Sequence, residues 1–354
     1  VLKIRMIKNR DADKPFSVIA PSKQWILKNF EVNPAYIAKL PGPFTFLLRT
    51  KKERLVSNHV TDNINILGVR IPDHPITKII QKAKTPFITT SVNQSGEPPI
   101  NDIKKIKIQG ARNIAKTALK AYILFPNKKS KKILLNSRPT EPMMKNVLDM
   151  AEKKSYKEIL RHFDYAQEKI NLYILKRIKN NDIIFTHCHS TNVSKALVYA
   201  HKKGKKFEVY VTETRPLFQG RQTARELRKA GIKVTIFVDS ALDIAFSLGV
   251  KMVFLGADAL LKNGIINKVG SNLIAEISHN HKVPFYIIAD SWKFTKEKVP
   301  VEQRAINEIW DKAPKNIKIK NPAFEFVNKK YIKGIITEFG LMKYDRFVKK
   351  IQQK

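Results

Sequence analysis

From Asp182 to Ala289 short apolar runs alternate with mixed segments of helix length. The runs at 183–186, 207–212, 233–238, 251–255 and 284–289 are rich in β-branched and aromatic residues. Continuous apolar runs of this kind suit strands covered on both faces, as in a parallel sheet. The segments between them are long enough for the helical crossovers that parallel neighbours require. Upstream, Tyr156, Ile159, Phe163, Ala166, Ile170, Tyr173 and Ile174 recur by threes and fours, which predicts one long amphipathic helix. The stripe Ile106, Gly110, Ile114 and Ala118 predicts a helix over 101–124, and 132–136 reads as a short strand.

The first hundred residues have a different texture. Extended stretches at 16–20, 44–49, 64–71 and 86–91 surround a helix at 74–83, punctuated by Pro41, Gly42 and Pro43 and by Gly96, Pro98 and Pro99. Three segments follow: 1–100, 101–180 and 181–354. The fold class is α/β. A smaller α/β piece precedes a helical subdomain and a doubly wound, Rossmann-like parallel sheet.

Composition narrows the classes. No apolar run approaches the length of a membrane span. The early basic residues Lys3, Arg5, Lys8 and Arg10 lead into more charge, unlike a signal peptide. Cys188 is the one cysteine, so no internal disulfide is available and a reducing cytoplasm is expected. The net charge of +37 has two readings. It suits a nucleic-acid partner, through phosphate neutralisation. It also suits a lysine-rich proteome, with Lys on every solvated face. Runs such as Lys128, Lys129, Lys131 and Lys132 carry no interleaved aromatics, which favours the second.

A doubly wound sheet binds ligands beyond the carboxyl ends of its strands. Those positions here are polar throughout: Thr186 to Ser190, Glu213 to Pro216, Asp239 and Ser240, Gly256 to Asp258, and Asp290 to Lys293. Cys188 precedes a helix that starts near Ser190, a setting that lowers a thiol pKa. Asp258 is a candidate proton donor if its surroundings are apolar, or else a helix N-cap. Arg138, Arg215, Lys268 and Lys293 fall on loops expected on one rim, where together they clamp phosphates. His187 and His189 flank the cysteine, but extended neighbours point to alternate faces, so no metal site is expected.

These motifs carry a resemblance. Ser137-Arg138-Pro139-Thr140, Thr186-His187-Cys188-His189-Ser190 and Thr212-Glu213-Thr214-Arg215-Pro216 are followed by Gly256-Ala257-Asp258 and Asn267-Lys268-Val269-Gly270. Trp292-Lys293-Phe294, Asn321-Pro322 and Thr337-Glu338-Phe339-Gly340 complete the series. In order and spacing, over about 250 residues, they resemble archaeal ribose-1,5-bisphosphate isomerases and the related translation initiation factor 2B subunits. The resemblance implies catalysis by Cys188 and Asp258 without a cofactor. It implies substrate contacts at Gly110, Ala111, Arg112, Arg138, Ser190, Thr191, Asn192, Asn267, Lys268 and Lys293. The implied reaction turns ribose 1,5-bisphosphate into ribulose 1,5-bisphosphate in AMP salvage, and the implied assembly is a homo-oligomer, a dimer or a hexamer. The isomerases carry Arg-Gly-Ala-Gly where this chain has Gln109-Gly110-Ala111-Arg112. One guanidinium is lost and another stands where a glycine allowed close approach. That change favours the alternative, a non-catalytic factor 2B-like subunit that senses a sugar phosphate or nucleotide. A compensating Arg112, swung round onto a substrate phosphate, is the other expectation.

A second resemblance covers the first hundred residues. Lys8/Arg10 with Lys14, Val69-Arg70-Ile71-Pro72 and the Ser91/Asn93 pair are similar to the YrdC-like domain of threonylcarbamoyl-adenylate synthases, which begin a tRNA modification. It implies that Arg10, Lys14, Ser91 and Asn93, with Lys8, face ATP or RNA, and that Arg70 faces threonine. That domain's first strand and Tyr-Pro-Thr loop belong before Val1. The piece is therefore expected to be a partial synthase that makes no threonylcarbamoyl-adenylate by itself.

Overall fold

A computed structural model describes residues 1, 4, 16–52, 55–57, 60, 65–90, 110–124, 126–314 and 316–353. The chain divides into two compact units, Val1–Asn101 and Asp102–Lys354.

The first unit is built on β1 (Ser17–Ile19), α1 (Lys23–Asn29), β2 (Phe30–Glu31), α2 (Pro34–Ile37), β3 (Phe46–Thr50), β4 (Ile66–Arg70), α3 (Ile76–Ala83) and β5 (Phe87–Thr89). Ser22 starts α1 by accepting the Trp25 N–H at 3.0 Å. The strands pair in the order β2-β3-β4-β1-β5. Only β1 and β4 run parallel, with Val18 opposite Val69. Phe16, Val18, Ile26, Phe30, Leu67 and Val69 form its core.

The second unit opens with four helices: α4 (Ala111–Leu124), α5 (Lys128–Ser137), α6 (Pro142–Met150) and α7 (Tyr156–Arg177). The expected helix over 101–124 is seen from Ala111, and 101–109 lie outside the described residues. The expected strand at 132–136 is a correction, because those residues are the middle of α5. Asn127 caps that helix, accepting the Ser130 N–H at 2.9 Å. A three-residue apolar run fits either period, and here the cap and the single buried Leu134 decide for a helix. The long helix α7 starts in a reciprocal capping box between Ser155 and Glu158.

The α/β part then runs β6 (Ile183–Thr186), α8 (Thr191–Lys202), β7 (Glu208–Thr212), α9 (Gln219–Lys229), β8 (Lys233–Phe237), α10 (Leu242–Ser247) and β9 (Met252–Leu255). After it come β10 (Ala259–Leu261), β11 (Gly264–Lys268), α11 (Ser271–Asn280), β12 (Phe285–Ile288), β13 (Phe324–Asn328), β14 (Gly334–Thr337), β15 (Gly340–Met342) and α12 (Tyr344–Gln352). Seven strands form one sheet in the order β15-β14-β12-β9-β6-β7-β8, parallel except for β15. Successive residues of each central strand enter opposite cores. Ile184, Met252, Phe254, Tyr286 and Ile288 pack with α7, α8 and α9. Phe185, Val253, Leu255, Phe285 and Ile287 pack with α10, α11 and α12. Burial on both faces is the reason these strands read as unbroken apolar runs. A smaller antiparallel sheet, β10-β11-β13, stands beside the main one.

The chain leaves β6 toward β7 and β8, then returns to β9 on the other side and proceeds to β12 and β14. Strands β6 and β9 therefore flank the topological switch point, where crevices open in such sheets.

Candidate active site

Cys188 lies two residues beyond β6 and Asp258 three beyond β9, so both stand at that switch point. Between them opens a cleft. Twelve of the C-terminal residues singled out from the sequence line it: Cys188 and Asp258, Gly110, Ala111 and Arg112, Arg138, Ser190, Thr191 and Asn192, Asn267, Lys268 and Lys293. Arg215 does not. It is exposed, and its guanidinium reaches the Ile309 carbonyl at 3.1 Å, so the expected rim loses that member.

The turn at Cys188 is built, not incidental. Its φ of +62° is unusual for a residue with a side chain. Two threonines hold it: the Cys188 N–H donates to Thr214 Oγ1 at 3.0 Å, and Thr223 Oγ1 donates to the Cys188 carbonyl at 2.8 Å. His189 Nδ1 lies 3.0 Å from Thr223 Oγ1, whose proton is already given, so the ring donates there. His187 Nε2 lies 2.9 Å from the Val269 carbonyl, and Nδ1 meets Thr212 Oγ1. Burial pushes His187 down to about 4, so it is a neutral strut in this turn.

The chain passes from the turn into α8. Ser190 is the N-cap by backbone shape, but its side chain caps no amide. The first residues of α8, Thr191 and Asn192, line the cleft, and no Ser190 side chain caps their end of the helix. Gly256 packs against this turn, and a Cβ there would lie 2.6 Å from Ser190 Oγ. Gly110, with φ at +85°, delivers the start of α4 toward Thr191.

The thiol expectation is corrected. Cys188 does precede a helix, yet its pKa is pushed up to about 12, first by burial and next by the Asp258 charge, with Lys268 opposing. The dipole of an end turn is a surface-scale effect, and desolvation outweighs it here. Asp258 is raised by burial as well, against Lys293, Lys268 and Arg138. Burial thus opposes the charged form of both groups.

Four cationic side chains are buried among the described residues, Arg112, Arg138, Lys268 and Lys293, and all four line this cleft. Lys293 Nζ donates to the Ala257 carbonyl. Arg138 pairs with Glu302 at 3.2 Å, and its Nε has no partner among the described residues. Burial lowers Lys268, which faces Cys188 and Asp258. Arg112 does not swing into the cleft as a free fork. One amino group donates to Gln167 Oε1 and the other to Asp164 Oδ1, both at 3.1 Å, and its plane lies 5.5 Å from the Phe163 ring. Gln167 also accepts from Asn192 Nδ2 at 3.1 Å, so α4, α7 and the start of α8 share one amide. Gln109 lies outside the described residues.

Sequence reading missed Glu141, Arg304 and Glu308, which also line the cleft. Arg304 pairs with Glu308 at 2.6 Å, from a stretch that looks like an ordinary charged loop. Glu141 stands three residues after Arg138, and only the fold turns it inward. Elsewhere, the ligand atoms of His162, Asp290 and Glu338 lie within 4.8 Å of one another, a spacing that could hold a metal ion. The protein itself already engages them. His162 pairs with Asp290 at 3.0 Å, and Glu338 accepts the Ser291 N–H at 3.1 Å.

In the first unit, Arg70 borders a separate pocket with Ile19, Gly42, Pro43, Pro72, Asp73, His74 and Thr89, and its buried Nε has no partner among the described residues. Lys8, Arg10, Lys14, Ser91 and Asn93 lie outside the described residues. Among the described residues no helix is long and apolar enough to cross a membrane.

Comparison with known proteins places these features. The family model described as Initiation factor 2 subunit family matches residues 108–344. The model described as Telomere recombination, with the names Sua5, YciO and YrdC, matches residues 1–131. Ribose 1,5-bisphosphate isomerase of Archaeoglobus fulgidus is 35% identical over 274 residues, which are 67% of this chain and 86% of that protein. The protein of that name from Methanocaldococcus jannaschii is 36% identical over 274 residues, 68% of this chain and 89% of its own. The crystal structure of translation initiation factor eIF-2B from Pyrococcus horikoshii superposes with a TM-score of 0.62 at 25% identity, covering 70% of this chain and 96% of that one.

Proposed function

Because the chain belongs to the initiation factor 2 subunit family, we propose that it is an aldose–ketose isomerase converting ribose 1,5-bisphosphate to ribulose 1,5-bisphosphate, a step of AMP salvage. Relatives of that name support the reaction class. One observation carries the reading: all four buried cations line the cleft that holds Cys188 and Asp258. Burying charge is costly unless it is matched, and a ligand with a phosphate at each end matches it.

The working cleft holds a Cys188 thiolate and a protonated Asp258. The thiolate takes the proton from C2 while Asp258 gives its proton to the ring oxygen. The C1–ring oxygen bond breaks as a C1–C2 double bond forms. Cys188 then returns its proton to C1, and Asp258 takes the proton of the C2 hydroxyl, leaving the ketone. Both groups end as they began, so proton transfer alone moves the carbonyl and no cofactor is consumed. The Asp258 charge is one cause of the high thiol pKa, so protonating Asp258 eases ionisation of Cys188. A substrate phosphate reaching Arg138 competes with Glu302.

A second reading, a factor 2B-like binding subunit without turnover, is favoured by one observation. Arg112 is committed to α7 through Gln167 and Asp164. Incubation with ribose 1,5-bisphosphate, coupled to a carboxylase that consumes ribulose 1,5-bisphosphate, separates the two. Turnover supports the isomerase, and binding without turnover supports the subunit.

Self-association, as a dimer or hexamer, is proposed on the edge strand β8 and its neighbours, where Ile236, Val238, Ile244 and Leu248 are exposed. A reducing cytoplasm suits a chemistry that needs a free thiol. For the first unit we propose contact with ATP or RNA of the kind used in tRNA modification, with Arg70, which borders the pocket there, meeting the anion.

A further inference from the structure

Glu141 has no part in the chemistry above. It stands just before Pro142 at the start of α6, yet its carboxyl caps no amide there. It lines the cleft, it is 5% exposed, and its Oε2 has no hydrogen-bond partner among the described residues. Four charged groups act on it: Asp258 after β9, Lys293 in the short turn after β12, Arg138 at the end of α5, and Glu302, which pairs with Arg138. Two acids and two cations leave little field to hold a negative charge. A carboxylate buried without a donor is among the least favourable groups in a fold. A neutral carboxyl has one O–H to give and needs only an acceptor. Burial, with Asp258 adding to it, holds Glu141 well above the ordinary carboxylate range, against Lys293 and Arg138.

We propose that Glu141 is a substrate-positioning residue, which stays protonated in the cleft and donates its O–H to an oxygen of the bound sugar phosphate beside Asp258. Its ligand rests on the isomerase reading, whereas its protonation does not. The two acids then divide the work. Asp258 faces three cations, Lys293, Lys268 and Arg138, and is the one that exchanges its proton. Glu141 keeps its own and holds the sugar. Raising the pH ionises Glu141 and sets a new negative charge against the phosphates, so affinity falls on the alkaline side.

Glu141→Gln keeps a donor of the same shape and cannot ionise, whereas Glu141→Ala removes the donor. Infrared difference spectra of ligand-free wild type minus Glu141→Gln at neutral pH are expected to show a protonated-carboxyl band. Carboxylate bands instead would overturn the proposal. Calorimetric titration with ribulose 1,5-bisphosphate across pH gives the second readout. Once Glu141 ionises, wild-type affinity is expected to fall by up to about tenfold per pH unit. Glu141→Gln is expected to lack that fall and to bind within about threefold of wild type at neutral pH, while Glu141→Ala binds about tenfold more weakly. In turnover, Glu141→Ala raises KM more than it lowers kcat, and Glu141→Gln restores KM. Loss of kcat in Glu141→Gln as large as in Glu141→Ala would mean proton transfer instead, and tighter binding by both variants would mean an ionised Glu141. Either result rejects the positioning role. Wild type that binds no sugar bisphosphate would reject the isomerase reading, while the infrared measurement still decides the state of Glu141.

Discussion

The two compact units differ in where their charged groups go. In Asp102–Lys354 two helical layers cover the parallel sheet, and Arg112, Arg138, Lys268 and Lys293 are drawn out of water into one cleft. In Val1–Asn101 no cation among the described residues is buried. There the sheet and its flanks leave Tyr36, Phe44, Leu47, Ile66 and Phe87 exposed. The net charge of +37 therefore says little by itself. A lysine in water is ordinary, whereas Lys268 and Lys293, each about 5–6% exposed, mark a site. Function follows from which cations the fold desolvates, and not from how many the chain carries.

The largest expected effect falls on the pair at the switch point. Cys188→Ser and Asp258→Asn should each lower kcat of the isomerisation by about 10²–10⁴-fold, the usual worth of one general acid or base, with circular dichroism unchanged. Arg70→Ala, in the other unit, should leave this rate as it was. A comparable loss from Arg70→Ala would break the separation of the two units. Next comes the contrast between buried and exposed lysines. Lys268→Ala should weaken sugar-bisphosphate binding about tenfold or more, as loss of a charge-assisted contact does. Replacing Lys202, Lys203, Lys205 and Lys206 together by Ser should change it about twofold or less. Equal losses would show that bulk charge, and not the cleft, attracts the ligand.

A smaller effect concerns the thiol. With its pKa held at about 12, Cys188 should alkylate slowly at neutral pH, and its rate should climb about tenfold per pH unit through the alkaline range. Asp258→Asn removes the second cause of the upward shift and should speed alkylation at every pH below that value. An alkylation rate that levels off near neutrality would mean a thiolate already present. The smallest effect belongs to Asp164, 77% exposed beside Arg112. Asp164→Asn should change affinity by no more than about threefold, because an exposed partner contributes little, whereas Arg112→Ala should cost about tenfold.

The α/β rhythm was legible because strands buried on both faces carry apolar residues in unbroken runs, as at Ile183 to Thr186 and Phe285 to Ile288. The position of Cys188 and Asp258 just beyond their strands was legible too, since the ends of apolar runs mark strand ends. The antiparallel sheet β10-β11-β13 was not, because Gly264 pairs with Asn328, far along the chain. The helix α5 was misread because Ile133, Leu134 and Leu135 alone fit both periods. The direction of the thiol shift was misread for a physical reason. A sequence shows the helix that follows Cys188, but not the burial and the distant Asp258 that outweigh it. Glu141 escaped notice because an acid before a proline looks like a helix start, and only the folded cleft shows that it caps nothing.

The central claim is that this cleft moves a proton at C2 of a sugar bisphosphate. The direct measurement is turnover of ribose 1,5-bisphosphate carrying deuterium at C2, beside the unlabelled compound, with the product read by NMR. The account expects ribulose 1,5-bisphosphate to form more slowly from the labelled substrate, with part of the deuterium at C1 replaced by solvent hydrogen. No ketose above a denatured control, or a product that keeps all of its deuterium at C1 as hydride transfer would leave it, contradicts the account.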